Sequence, residues 1–340
     1  MTDTMRAGMM NEWQGRAAAP DRGIGQAART SSRRLNLADN RFDASPIPSG
    51  FEQLTRSLRK LILRGCSLSS RSYYSIRQLQ FLSELDLSDK HLSSVLPNFI
   101  GNFSYLTLLH IQGCNLSGSL PSFLANLSKL DYLDLSFNEL KKTDGRLDVI
   151  QNASSIQLEK IVLDHNKFQG MVPSFIFKLM KLEIISLSFN NFSGVVELGL
   201  FQNFKNLSVL NLSNKNQSIE DGGENRTTIF LCLLSELDVL DLSSNMIEGP
   251  LLIPPPSTSF FSISNNKLSG EIPMSICNTT SLRVLDLSRN QLRGQIPQCL
   301  GEISDALVVL NLQGNELNGT LLQTFKEEYN LQTLILVKIN

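Results

Sequence analysis

The chain has little of what catalysis needs. Its 340 residues include three histidines, one tryptophan and five cysteines. Around His91, His110 and His165 no Ser/Cys–His–acid arrangement recurs, and no glycine-rich phosphate loop comes after a strand pattern. No C-x-x-C occurs, which removes zinc-finger and thioredoxin chemistry, and no metal site or cofactor is expected. Net charge is −1, without the clustered Lys and Arg of a nucleic-acid footprint. The longest apolar run, Ile229 to Leu234, is six residues, against about 18 for a membrane span. Residues 1–34 hold no apolar stretch that could act as the core of a signal peptide; they read as a separate tail, disordered or the product of a misassigned start.

What is abundant is repetition. The pattern L-x-L-x-x-N returns with its first apolar residue at Leu35, Leu61, Leu85, Leu109, Leu133, Ile161, Ile185, Leu210, Leu240, Phe261, Leu285, Leu310 and Leu334. Intervals run from 21 to 30 residues and most are 24 or 25. That period with that pattern is the leucine-rich-repeat signature. It predicts an α/β repeat solenoid over residues 35–340: about 13 coils, the last truncated, with a parallel β-sheet on the concave face. Around Leu133 and Leu135 the alternation is that of a short strand, leucines inward, Tyr132, Asp134 and Ser136 outward. The aspartates Asp86, Asp134, Asp241 and Asp286 share one outward phase and read as a solvated face rather than paired acid–base carboxylates.

The asparagine ending each pattern (Asn40, Asn138, Asn166, Asn190, Asn245, Asn266, Asn290, Asn315) both donates and accepts, so it suits main-chain groups freed at a turn. Cys66 and Cys114 replace it in two coils, as small buried groups with a weak donor. Lys90 and Lys215 replace it in two more and are expected to snorkel outward. The 30-residue interval carries a polar loop at Glu220–Asn225, and the 21-residue one Pro254-Pro255-Pro256 in place of a helical segment.

Past the turn comes L-x-G-x-[IL]-P, at Leu116–Pro121, Leu268–Pro273 and Leu292–Pro297. Glycine relieves the bend and proline ends a short extended piece. This is the mark of the plant-specific class of leucine-rich repeat. Between Ile253 and Leu317, a stretch that includes IPPPSTSFFSISNNKLSGEIPMSICNTTSLRVLDLSRNQLRGQIPQCLGEIS, the chain resembles the late ectodomain repeats of plant receptor-like proteins of the disease-resistance type. The resemblance implies a piece of a cell-surface receptor in defence or developmental signalling, facing outside the cell. It also implies partner receptor kinases, and membrane attachment only through segments this chain lacks. A signal peptide, cysteine-containing caps and a membrane helix are parts of that family's pattern not found here.

Cys277 and Cys299 fall at nearly the same phase of adjacent coils, so either a disulfide or two packed thiols fits. Cys66 and Cys114 are a whole coil further apart and are expected to stay reduced; Cys232 has no evident partner. Eleven N-x-[ST] sequons occur. Asn102, Asn126, Asn206 and Asn278 fall on the convex flank and are the candidate glycosylation sites. Asn211, on a strand, is expected to be unoccupied. Cysteines and sequons together favour a secretory lineage.

Recognition is therefore expected on the concave face. The candidate ligand-binding residues are Arg64, His110, Tyr132, Phe137, Lys160, Asp164, His165, Phe189, Phe260 and Arg289, since exposed aromatics and arginine are typical anchors. Phe137 and Phe189 have the alternative of packing against neighbouring turns. The expected function is non-enzymatic binding of a peptide, protein or glycan, without nucleic acid. The alternatives are a secreted inhibitor of pathogen wall-degrading enzymes, a fragment of a receptor-kinase ectodomain, and a truncated copy without function.

Overall fold

The computed structural model describes residues 33–40, 54–66, 75–89, 95–141, 157–213, 218–220, 234–301, 307–318 and 333–335. The tail 1–32, Lys90, Lys215, Cys232 and the loop at 221–225 lie outside them.

Thirteen three-residue strands form one parallel sheet in which each pairs with the next along the chain. The register residues meet one to one: Leu61 pairs with Leu85, Leu85 with Leu109, Leu109 with Leu133, Leu240 with Phe261, Leu285 with Leu310. From Leu61 to Leu310 these centres are buried, as are their partners two residues on, such as Leu63, Leu135 and Leu287. A single coil has too few apolar side chains to enclose its own leucines; stacking encloses them. Phe261 takes the leucine's place in the 21-residue coil, fully buried. That coil has no helical turn opposite the sheet, and Thr258 Oγ1 and Ser257 Oγ donate to the Leu237 carbonyl instead.

In other coils the segments opposite the sheet are short 3-10 turns, including Asn98–Asn102, Ser122–Asn126 and Met274–Asn278. Each of these comes after a proline whose carbonyl accepts from the amide three residues on, as Pro121 does from Leu124. Too few residues remain between that proline and the next strand for a longer helix. The glycines of L-x-G lie in left-handed backbone, with φ of 85° at Gly118, 86° at Gly270 and 80° at Gly294. There the chain turns into a second, lateral set of strands that the periodicity gave no sign of. Its largest piece joins Glu248–Gly249, Lys267–Glu271, Gln291–Gln295 and Glu316–Asn318.

The turn asparagines do more than close their own turns. Asn138 Nδ2 donates to the carbonyls of Leu135 and Ser136 and also to Ile111 in the preceding coil, at 2.8–3.0 Å. Its Oδ1 accepts from the amides of Cys114 and Leu116, again in the preceding coil, at 3.0 and 2.9 Å. Asn166, Asn190, Asn266 and Asn290 repeat this double grip, each accepting one amide from the coil before. The cysteines keep half of it: Cys66 Sγ donates to the Leu37 carbonyl at 2.8 Å and Cys114 Sγ to the Leu87 carbonyl at 3.1 Å. Both thiols are buried and outside any disulfide. Cys277 and Cys299 are joined across adjacent coils, with Cα atoms 5.9 Å apart.

These contacts can be tested by unfolding and by thiol counting. Replacing Asn138 by Ala takes the side-chain acceptor from two buried amides and the donor from the Ile111 carbonyl, while Asn166 and the Gly113 amide still reach the Leu135 and Ser136 carbonyls; it should cost about 2–4 kcal/mol in urea unfolding, whereas Asn138→Cys, which keeps a donor, should cost less. Equal losses for the two variants would mean the side-chain donor contributes nothing. Of the five cysteines, three should react in a thiol titration of the denatured, unreduced chain; five reactive thiols would rule out the bridge.

Candidate functional site

The L-D-L-S phrase explains much of the concave face. Where an aspartate follows the register residue, it turns its Oδ1 back onto the amide two residues on: Asp86 onto Ser88, Asp134 onto Ser136, Asp241 onto Ser243, Asp286 onto Ser288. The serine hydroxyls of Ser136 and Ser288 donate to the same oxygens at 2.6 Å. These carboxylates close turns, as Asx side chains do. The expectation of a solvated acidic face is therefore corrected: Asp134, Asp241 and Asp286 are 6%, 3% and 2% exposed. Narrow spacing between coils squeezes water from between them. Asn211 belongs to the same column, buried and accepting from Ser213.

The sixth coil departs from the phrase. Val162 holds the aspartate's place and Asp164 the serine's. Asp164 reaches forward to the next coil, accepting from Ser186 Oγ at 2.6 Å, from the Ser188 amide at 2.8 Å and from Ser188 Oγ at 2.9 Å. Burial pushes its carboxyl up to about 6, against those donors, with the neighbouring Asp134 adding to the rise. The expectation of Asp164 as an exposed ligand contact is corrected too: it is a buried internal acceptor.

The column before each register residue divides the face. In the early coils it is polar except at Leu108: Lys60 pairs with Glu84 at 2.5 Å, and Tyr132 and Lys160 are half-buried. From Ile184 to Val309 it is apolar, and Val209, Val239, Phe260, Val284 and Val309 pack side by side into a closed strip. Phe260 is 7% exposed, so its place among the open aromatic anchors is also corrected. Aligning the residue before each register mark would have revealed this strip in the sequence.

The structure brings two groups of the candidates together. His110 meets Tyr132 edge to face at 4.6 Å, with Lys160 Nζ 6.0 Å from the Tyr132 ring. Burial raises the Tyr132 hydroxyl and keeps it protonated. Phe137, His165 and Phe189 stack in consecutive coils, centroids 4.0 and 4.2 Å apart and planes within 11° and 19°. All three sit in left-handed backbone, φ 55°, 52° and 50°. Other coils put Gly65, Gly113 or Gly314 at that position, or Asp39, Asp89, Ser244, Asn265 and Arg289; glycine and Asn or Asp suit the conformation best. Phe137 is 50% exposed and Phe189 44%. Burial between the rings lowers the His165 imidazole, and its Nδ1 has no hydrogen-bond partner.

Arg64 and Arg289 stand away from both groups, exposed; Arg64 Nε binds Asp89 Oδ2 at 2.6 Å. The residue spacing did not single out a further set: half-buried Arg59 over exposed Phe81 at 5.1 Å, Phe81 beside exposed Tyr105, and exposed Lys129 over Tyr105 at 4.4 Å. Their spacing of one coil was visible, but nothing in it told edge from core. Asn102, Asn126, Asn206 and Asn278 are exposed on the outer flank. Among the described residues, no group of three His, Cys, Asp or Glu could hold a metal, and no helix is long and apolar enough to cross a membrane.

The coil, the sheet and the turn ladder define a leucine-rich-repeat protein of the plant type. The leucine-rich-repeat family profiles match residues 156–217 and, separately, 105–127, 257–279 and 281–303. Among curated proteins, the chain is 32% identical over 238 residues to Receptor-like protein 6 of Arabidopsis thaliana, covering 57% of this chain and 24% of that one. Receptor-like protein 54 of the same plant is 29% identical over 360 residues, 85% of this chain and 44% of its own length. The chain is similar to plant leucine-rich-repeat receptor-like proteins. It spans less than half the length of these relatives. Among solved structures it is similar to the Arabidopsis receptor kinase HAESA in complex with the peptide hormone IDA and the co-receptor SERK1, with TM-score 0.69, 25% identity, and 92% of this chain on 52% of that one. It is also similar to PEPR1 in the PEPR1–AtPEP1 crystal structure, with TM-score 0.67, 29% identity, and 85% on 39%.

The position of Asp164 sets a pH dependence. A carboxyl whose folded value lies above its unfolded one favours folding when protonated; that contribution is complete below pH 3.8 and lost as pH rises through about 6. The advantage of Asp164→Asn over the natural chain in urea unfolding should therefore grow by about 2–3 kcal/mol between pH 4 and pH 7. A difference that stays flat, or shrinks, would contradict the burial argument.

Proposed function

We propose that this chain is a non-enzymatic recognition segment of a plant cell-surface receptor, binding an extended peptide along its concave face with the Phe137–His165–Phe189 stack as anchor. One observation carries the reading. Three bulky side chains occupy left-handed backbone in consecutive coils, at a cost on the order of 1 kcal/mol or more each, and the stack they build stays half-exposed. Packing alone is a weak reason for this arrangement, because about half of the surface of Phe137 and Phe189 stays open. Exposed, pre-ordered aromatics bind with little entropy loss, as hot-spot residues do.

The polar side chains of the early coils, among them Lys60, Glu84, His110 and Lys160, supply hydrogen bonds and charge beside the anchor, and the closed valine strip gives a flat apolar floor beyond it. Peptide complexes of structurally similar plant receptors support the class of ligand: AtPEP1 with PEPR1, RGF2 with RGFR1, and IDA with HAESA. SERK1 in the HAESA complex supports a receptor-kinase partner. In this reading N-glycans occupy Asn102, Asn126, Asn206 and Asn278, on the flank away from the ligand, and the face has no catalytic task.

Binding and stability should separate. With peptides selected from a random display library on the natural chain, Phe137→Asn and Phe189→Asn should each weaken binding about 10- to 30-fold. Both variants should unfold at the same urea concentration or a slightly higher one, because asparagine tolerates the left-handed turn better. Unchanged affinity in both variants, with a loss of stability, would make the stack a packing feature and end the proposal.

A further inference from the structure

The column of left-handed turn residues is interrupted beside the aromatic stack. Gly113 stands between Asp89 and Phe137 and has no side chain to fill its place. Phe137 has one face against His165, so its other face is turned toward the Gly113 coil, and half of its surface is open. On the opposite side, a Cβ placed on Gly113 would lie 3.0 Å from Asp89 Oδ1, so that carboxylate leans over the glycine. Its other oxygen holds Arg64. Ring centroids in the stack advance 4.0 and 4.2 Å per coil. Two coils therefore separate the Asp89 and Phe137 turns by roughly 8–10 Å, and with Asp89 Oδ1 reaching in over Gly113 the gap left suits one flat group.

We propose that this slot over Gly113 takes the guanidinium of an arginine side chain on the ligand. The proposal rests on the recognition reading and names the chemistry next to its anchor. A ring face carries the negative lobe of the aromatic quadrupole, and the facing wall is a carboxylate. Both attract a cation, and both disfavour a second carboxylate or an electron-rich ring lying flat. A guanidinium is planar, so it stacks on Phe137, and Asp89 Oδ1, which leans in over Gly113 at the base of the slot, accepts from the N–H groups at its edge. An ammonium could reach the carboxylate but has no plane to stack. Arg64 does not close the site: its pair with Asp89 is exposed on both sides, 59% and 44%, and exposed pairs of this kind are weak.

The substitution that blocks the slot is mild. Other coils hold Asp, Asn, Ser and Arg at the same turn with φ between 55° and 59°, so Gly113→Asn keeps the backbone, and only the free end of Asp89 has to shift. The probe is Nα-acetyl-arginine methylamide, read by saturation-transfer NMR on its δ-methylene against the whole chain. The citrulline analogue, of the same shape without charge, is the control. Arginine should receive at least threefold more saturation than citrulline. Gly113→Asn and Asp89→Asn should each lower the arginine signal threefold or more, and Arg64→Ala, which frees the carboxylate, should raise it. Equal signals for arginine and citrulline, or for the natural chain and Gly113→Asn, overturn the slot. If Gly113→Asn does not fold, Asp89→Asn decides alone. Loss of the slot with library peptides still dependent on Phe137 and Phe189 would leave the recognition reading standing; the reverse pattern would remove the reading instead.

Discussion

The rest of the protein depends on the amide of one side chain per coil. An asparagine such as Asn138 holds main-chain donors and acceptors of its own turn and of the coil before it. Hydrophobic burial brings coils together but is not directional. The asparagine fixes where the next coil sits, because it has both a donor and an acceptor to place and both are buried. Cys66 and Cys114 show the requirement by partial failure: a thiol reaches the carbonyl of the preceding coil but does not match the accepting half.

A fixed stacking distance of about 4.8 Å then shapes the face that could bind. Side chains at equivalent positions of neighbouring coils touch, so a column behaves as one surface. Where the column repeats aspartate and serine, the polar groups satisfy one another and little remains for a ligand. Where it repeats valine, the strip closes on itself. Chemistry is left over only where the repetition breaks, and the largest break is at coils five to seven. There Asp164 displaces the usual serine, Val162 the usual aspartate, and Phe137, His165 and Phe189 occupy turns that suit glycine or asparagine. Local rules of sequence and backbone are broken together at one place, which is where function is most often found.

Reading columns rather than residues separates the candidates. Phe260 and Phe137 are both aromatic and both on the open side of a strand or turn, yet one is buried and the other half-exposed. Phe260 has valines on either side, Val239 and Val284, at the same level of the sheet. Phe137 has a ring on one side and Gly113 on the other. Asp164 and Asp89 likewise differ by what the next coil presents, two serines in one case and a glycine in the other.

The periodic part was legible from residues alone. Thirteen register marks, the buried leucines, the turn asparagines and the bend at each L-x-G come from a period, and a period survives in one dimension. The lateral strands and the internal bonding of the aspartates were not legible, because each depends on which side chain lies one coil away; the valine strip was legible only as a column of aligned residues. Sequence places those neighbours some 24 residues apart with no mark of contact; only the stacked chain sets them within touching distance, and it is that distance which decides whether an aromatic or a carboxylate is buried or left open.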